Sequence, residues 1–181
     1  MAASVRDKPM HERLAYGKAA EKEIIQHIEK MVGPFKWAEE FADCVEKIDG
    51  WLQFPNGTEL SVQIKSRQTG DDIAVEVWRD FETETEGRDM KTKADIYIVR
   101  SRCGKIFLIY SRDIKDKVFA LIEEWDASGS QFDSGWFKGT HGSLKLERGD
   151  NSRFKVVAFI SPVPFGNRFI EGIPARIIMK Q

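Results

Sequence analysis

Residues 47–67, KIDGWLQFPNGTELSVQIKSR, constrain the fold more tightly than any other stretch of the chain. Two alternating runs flank Pro55-Asn56-Gly57. Pro suits the first position of a type I turn, Asn the second, and Gly the left-handed position that follows, so these three residues close a hairpin. That loop pairs residues whose numbers sum to 112. Leu52 then faces Leu60, Gly50 faces Val62 and Ile48 faces Ile64, which makes one apolar face. On the other face Trp51 lies opposite Ser61, and Asp49 lies opposite Gln63 with Lys65 beside them. A two-residue Asn-Gly loop would shift the pairing by one and scramble both faces. The hairpin therefore gathers a carboxylate, an amide and an ammonium. Carboxylate and amide oxygens are hard ligands suited to Mg²⁺ or Mn²⁺, and a neighbouring lysine can hold a metal-activated water or offset charge on a phosphate. A surface ion pair on an exposed sheet face accounts for the same three residues.

The spacing predicts an amphipathic helix over residues 12–32, with Leu14, Ile24, Ile25, Ile28, Met31 and Val32 as its apolar stripe and Gly33-Pro34 as its stop. Glu21 shares that stripe, while Glu23, Glu29 and Lys30 lie off it. A carboxylate facing the sheet needs a partner; a cation is one, and a lysine at the edge of the stripe is another. Strands are expected at 72–78, 94–99 and 105–110, the last (KIFLIY) apolar enough to be covered on both faces. Ser111 reads as an N-cap, with Asp113 in the first turn and Ile114, Val118, Leu121, Ile122 and Trp125 as the buried stripe of a second helix. Residues 126–153 read as a long loop excursion with a short strand around 144–146 at most. FKVVAFI and ARIIMK supply late strands. The expectation is one α/β domain over residues 1–181 on a single mixed sheet, with its core at about 12–125 and C-terminal strands in 154–181.

The chain's 181 residues can bury a sizeable core, and its net charge of -1 gives no general attraction to nucleic acid. The charges are unevenly spread, acidic over 71–89 and mostly basic over 91–117. Such a split can present one basic face to phosphates, and a solvated surface of mixed charge reads the same way. Cys44 and Cys103 are too few for a disulfide framework or a zinc site; with no secretion signal or membrane-length apolar run, a cytoplasmic protein without membrane contact is expected. The three histidines are scattered, and no P-loop or Rossmann glycine pattern is present. Trp136-Phe137-Lys138 fits satellite-core packing, with base stacking as the other reading.

Taken together, GKAAEKEII with Glu21, KIDGW with Asp49, and VQIKSR with Gln63-Ile64-Lys65 resemble the PD-(D/E)xK nuclease superfamily, and within it the Holliday-junction-resolvase-like and phage-type endonucleases. The resemblance spans roughly residues 12–125 and rests on these three short motifs. It implies a restriction-endonuclease-like core of αβββαβ order, a mixed sheet flanked by helices, with a C-terminal β extension. It implies a metal-dependent endonuclease cutting DNA, structure-specific toward branched substrates, with Mg²⁺ or Mn²⁺ held by Asp49, the Gln63 side chain, the Ile64 backbone carbonyl and Glu21. Lys65 would position or deprotonate the attacking water. Ser66, Arg67, Lys91, Lys93, Arg100 and Arg102 become phosphate-contact candidates, and a homodimer is what junction cleavage requires. Gln63 stands where the family usually has an acid, which removes one negative charge. Asp43, six residues before Asp49, is an alternative or auxiliary acid. The other reading is an inactive nucleic-acid-binding or protein-interaction module on the same fold.

Overall fold

The first helix forms because its aliphatic residues recur at helical spacing and find a sheet to cover. The computed structural model describes residues 10–40, 42–66, 70–129, 132, 135–149 and 153–178, and its elements are, in chain order, α1 (Met10–Met31), β1 (Phe35–Trp37), a π-turn (Ala42–Glu46), β2 (Gly50–Gln53), β3 (Glu59–Ser66), β4 (Ile73–Asp80), β5 (Thr85–Glu86), β6 (Ile96–Arg100), β7 (Lys105–Tyr110), α2 (Ser111–Ser128), β8 (Trp136–Lys138), β9 (Ser143–Arg148), β10 (Phe154–Ile160), a 3₁₀ turn (Val163–Phe165), β11 (Phe169–Ile170), β12 (Ile173–Pro174) and β13 (Arg176–Ile178). Ile24, Ile25, Ile28 and Val32 are buried, each worth about 2 kcal/mol of apolar burial. Met31, expected on the same stripe, is 56 % exposed; it ends the helix, and Val32 makes the closing contact. The side chain of Leu14 lies outside the described residues.

The β2–β3 hairpin takes the register expected of it. Gly50 pairs with Val62, Trp51 with Ser61 and Leu52 with Leu60, around a loop in which Gly57 has φ +86°. The central sheet runs β1-β2-β3-β6-β7-β13; β3 and β6 are parallel and its other neighbours antiparallel. Val62, Ile64, Ile96, Ile98, Ile106 and Leu108 form its face toward α1. Tyr97, Val99, Phe107 and Ile109 form the opposite face, toward Ile114, Val118 and Leu121 of α2. The fold is thus mixed α/β about a mixed central sheet. β7 is buried on both faces, as its composition requires.

Several expectations fail. There is no single sheet: β5-β4-β10-β9-β8 form a second one, and β11-β12 a separate hairpin. β4 leaves the central sheet, so the parallel step from β3 to β6 crosses through the second sheet instead of a helix. Of the four strands between β3 and α2, β4, β6 and β7 fall where the sequence predicts strands and β5 is additional. Residues 126–153 hold β8 and β9, a paired hairpin of the second sheet, where the sequence predicts only the short strand around 144–146, which lies within β9. Ser111 does not cap α2; it is the first helical residue, and its buried hydroxyl has no hydrogen-bond partner among the described residues. No helix among the described residues is long and apolar enough to cross a membrane. Both cysteines are free and exposed.

Candidate active site

Asp49 is set by a break in the hairpin register. The regular ladder starts at Gly50, and the Asp49 amide donates to Val62 O at 2.8 Å instead of pairing with Gln63. Ala38 N donates to Asp49 O at 3.0 Å, so the backbone is fixed from both sides. The carboxylate turns along the sheet and accepts the Ile64 amide at 2.6 Å. Asp49 therefore lies at the mouth of the strand pair, within electrostatic reach of both faces. Gly50 permits this arrangement: a Cβ there would stand 2.3 Å from the Phe35 ring and 2.5 Å from Lys36 O.

Just upstream, Ala42–Glu46 winds as a π-turn and Lys47 takes φ +58°. A non-glycine residue in the left-handed region costs about 1–2 kcal/mol. The strained turn brings Asp43 and Asp49 to the same cavity, about 340 Å³, whose walls also carry Glu21 and Lys18 of α1. Burial raises the Glu21 carboxyl above the ordinary carboxylate range, and the Asp49 and Asp43 charges raise it further against the opposing pull of Arg88 and Lys18. Burial likewise raises Asp49; the Ile64 amide opposes this, Asp43 adds to it, and Arg88 and Lys65 oppose it. Arg88 Nη2 lies 3.6 Å from Asp43 Oδ1.

Gln63 and Lys65 belong to a different setting. Their parallel partners on β6 are Tyr97 and Val99, so they lie on the face that the second sheet covers. Both turn to Asp89, which is 3 % exposed. Asp89 accepts from Lys65 Nζ, from Gln63 Nε2 at 3.4 Å and from the Glu76 amide at 2.8 Å, and its carbonyl accepts the Tyr97 hydroxyl at 3.1 Å. Burial, with the Asp89 charge next, drives the Tyr97 hydroxyl far above its ordinary range. Gln63 Oε1 is buried and has no hydrogen-bond partner among the described residues.

The structure thus brings Glu21, Asp43 and Asp49 together and places Gln63 and Lys65 around Asp89. The expected placement of Asp49 opposite Gln63 on one polar face is not what forms. Among the described residues, no three His, Cys, Asp or Glu side chains form a ready-made metal site. Ser66 is exposed at the end of β3, and Arg67 lies outside the described residues. Lys91 is exposed, Lys93 pairs with Glu46 at 3.0 Å and Arg100 with Glu23 at 2.8 Å. Arg102 sits in the β6–β7 turn. The basic run does not make one face: Arg100, Arg102 and Lys105 lie at one end of β6 and β7, and Lys91, Lys93 and Arg112 at the other. Asp89 and Arg88 were missed by sequence reasoning. Their one signal is that Asp89 closes an acidic segment, 71–89, that can supply a partner to Lys65.

The chain matches no family model, no curated protein and no solved structure.

Proposed function

We propose that the chain is a metal-dependent endonuclease acting on DNA, built on a variant of the restriction-endonuclease-like core. The observation that carries this reading is the shared cavity of Glu21, Asp43 and Asp49, in which burial, and after it the Asp49 and Asp43 charges, raise the Glu21 carboxyl, and burial, with Asp43 adding to it, raises Asp49. Nothing in ordinary folding requires acids to converge on a strained turn, and carboxyls raised by burial and by one another's charge in a cleft are what a functional site uses.

The donor set fits Mg²⁺ or Mn²⁺. Glu21 and Asp49 would supply hard carboxylate oxygens with Asp43 in support, and the resemblance adds the Ile64 carbonyl and the unpartnered Gln63 Oε1, whose side chain would have to turn from Asp89 to reach the acids. When bound, the dication supplies an activated water and charge stabilisation on a phosphodiester. The chain's own residues orient. Asp49 is held in the sheet plane by the Ile64 amide, and Lys65 is held by Asp89 near enough to lower the Asp49 carboxyl. Arg88 and Lys18 set positive charge at the cavity for a phosphate oxygen. A homodimer with two such cavities would serve paired cuts in branched DNA.

One observation favours the second reading, a DNA-binding module that does not cut. Lys65 is committed to an ion pair with Asp89 instead of standing free in the acid cavity. Nicking of branched and linear DNA in Mg²⁺ or Mn²⁺ decides between them. Wild type is expected to cut, and Asp49→Ala to lose at least about 10³-fold in rate while still binding DNA in EDTA. Binding without metal-dependent cleavage by wild type would establish the second reading.

A further inference from the structure

A second cavity, of about 320 Å³, opens at one end of the second sheet. Its walls carry four cations, Arg79, Arg148, Arg153 and Lys155, against two acids, Glu76 and Asp80. The topology gathers them: β10 runs antiparallel to both neighbours, so the ends of β4 and β9 meet its beginning, where Phe154 pairs with Arg148 and Val156 with Trp78. Asp80 is engaged, accepting from Arg153 at 2.9 Å and from the Glu82 amide at 3.2 Å. Glu76 Oε1 accepts the Arg88 amide at 3.0 Å, and Lys155 stands 3.9 Å from the other oxygen. Arg79 is exposed and makes no ion pair among the described residues. Four positive charges face two negative ones in a chain of net charge -1.

The pocket is joined to the acid cavity by short links. The Glu76 amide bonds Asp89, which holds Lys65. Arg88 is anchored to Glu76 by its backbone and reaches Asp43 with its guanidinium. Arg88 therefore stands between a carboxylate cavity and a cationic one.

We propose that the cationic pocket binds a backbone phosphate of the DNA strand whose neighbouring phosphodiester lies at the acid cavity, with Arg79 and Lys155 as its principal contacts and Arg88 between the two. The proposal rests on the nuclease reading for its choice of strand. Arginine's planar fork matches phosphate oxygens, and a concave cationic site concentrates the field on them.

The test is equilibrium binding of duplex DNA in EDTA across a salt series, on the full chain. It compares wild type, Arg79→Gln/Lys155→Gln and a charge-matched control, Lys30→Gln/Lys105→Gln. The pocket variant is expected to bind at least about 10-fold more weakly at low salt, with the salt slope shallower by about 0.9 for each phosphate no longer neutralised. The control is expected to keep the wild-type slope. An unchanged slope in the pocket variant, or an equal change in the control, overturns the proposal. If the double variant melts early, Arg79→Gln alone is read by the same criteria. Calorimetric titration with inorganic phosphate is the other arm: phosphate binding that the pocket variant abolishes, with DNA affinity unchanged, makes this a free-anion site and overturns the proposal. A wild type that binds through the pocket but never cuts breaks the nuclease reading alone. A wild type that cuts, with an unchanged slope in the pocket variant, breaks this proposal alone.

Discussion

Glu21 and Asp89 are both acids turned inward in this protein, and their surroundings could hardly differ more. Asp89 is buried and finished: an ammonium, a side-chain amide and a backbone amide all donate to its carboxylate. Glu21 is half-buried, and among the described residues nothing donates to its carboxylate, while two further acids push on it. A buried charge is tolerable when its donors are in place and costly when they are not. The Asp89 cluster therefore explains itself as structure, joining the two sheets through Lys65 on β3 and Glu76 on β4. The Glu21–Asp43–Asp49 cavity does not: Arg88 and Lys18 offset its acids only in part, and Glu21 and Asp49 stay raised. The comparison separates the acids that hold the fold from those that a metal would use.

The largest stability effect should fall on the finished cluster. Asp89→Ala strips the acceptor from Lys65, Gln63 and the Glu76 amide. Breaking a fully buried pair costs about 3–5 kcal/mol, and because Lys65 can partly reach water we expect about 3 kcal/mol, a Tm lower by roughly 6–12 °C. Asp89→Asn should recover part of it. Asp49→Ala, by contrast, should cost no more than about 1 kcal/mol in the metal-free protein, since relief of repulsion offsets the missing acceptor for the Ile64 amide. Thermal melts of the three variants check this, and equal losses at positions 49 and 89 would erase the distinction.

The pH dependence sharpens the same contrast. Glu21 and Asp49 are both raised, so the folded protein holds protons that the unfolded chain has released. Their contribution to stability is present in mild acid and is lost as pH rises through the folded-state values. Metal-free Glu21→Gln should melt at or above wild type at neutral pH, and the gap should close toward about pH 4. Added Mn²⁺ should raise the wild-type Tm by mass action and raise the variant's less. A gap that widens in acid would contradict the repulsion that Glu21 and Asp49 exert on each other.

Gln63 sits in the Asp89 cluster and is also a ligand in the proposed metal site, which makes Gln63→Glu a narrower probe. Its amide donates to Asp89 while its oxygen is unpartnered. A carboxylate there would repel Asp89 and lower the metal-free stability by about 1–2 kcal/mol, while adding a charged oxygen for a dication. Calorimetry should show tighter Mn²⁺ binding despite the lower apo stability. Unchanged affinity would assign Gln63 wholly to the Asp89 cluster.

Local chemistry made the hairpin legible: Pro55-Asn56-Gly57 fixes the loop, and the loop fixes which residues share a face. Helix spacing likewise put Glu21 on the inward side of α1. The second sheet was not legible, because β4 alternates in the same way whichever sheet receives it, and of the half-buried β9 only the stretch around Leu144 to Leu146 stands out from its polar flanks. Nor was Asp49's displacement, which depends on how β1 and the Lys47 turn hold the strand mouth. The partner of Lys65 lies 24 residues away on a turn, and no periodicity connects a turn residue to a strand.

Glu23→Gln is the smallest effect and the cleanest control on the helix phase. Glu23 and Glu21 stand about 200° apart around α1, at roughly 100° per residue. Glu23 points to the open side, where it is 55 % exposed and pairs with Arg100 at 2.8 Å. Exposed pairs of this kind are worth about 0–1 kcal/mol, so the loss should stay near 0.5 kcal/mol and fade with salt. The Mn²⁺-induced rise in Tm should be untouched, because Glu23 does not face the acid cavity. DNA binding in EDTA should tighten slightly, since Arg100 is released at the end of β6 and one repelling carboxylate is gone. If instead Glu23→Gln removes the Mn²⁺ response and Glu21→Gln keeps it, the cation does not use the cavity that Glu21 shares with Asp49. The two acids of α1 would then have exchanged roles.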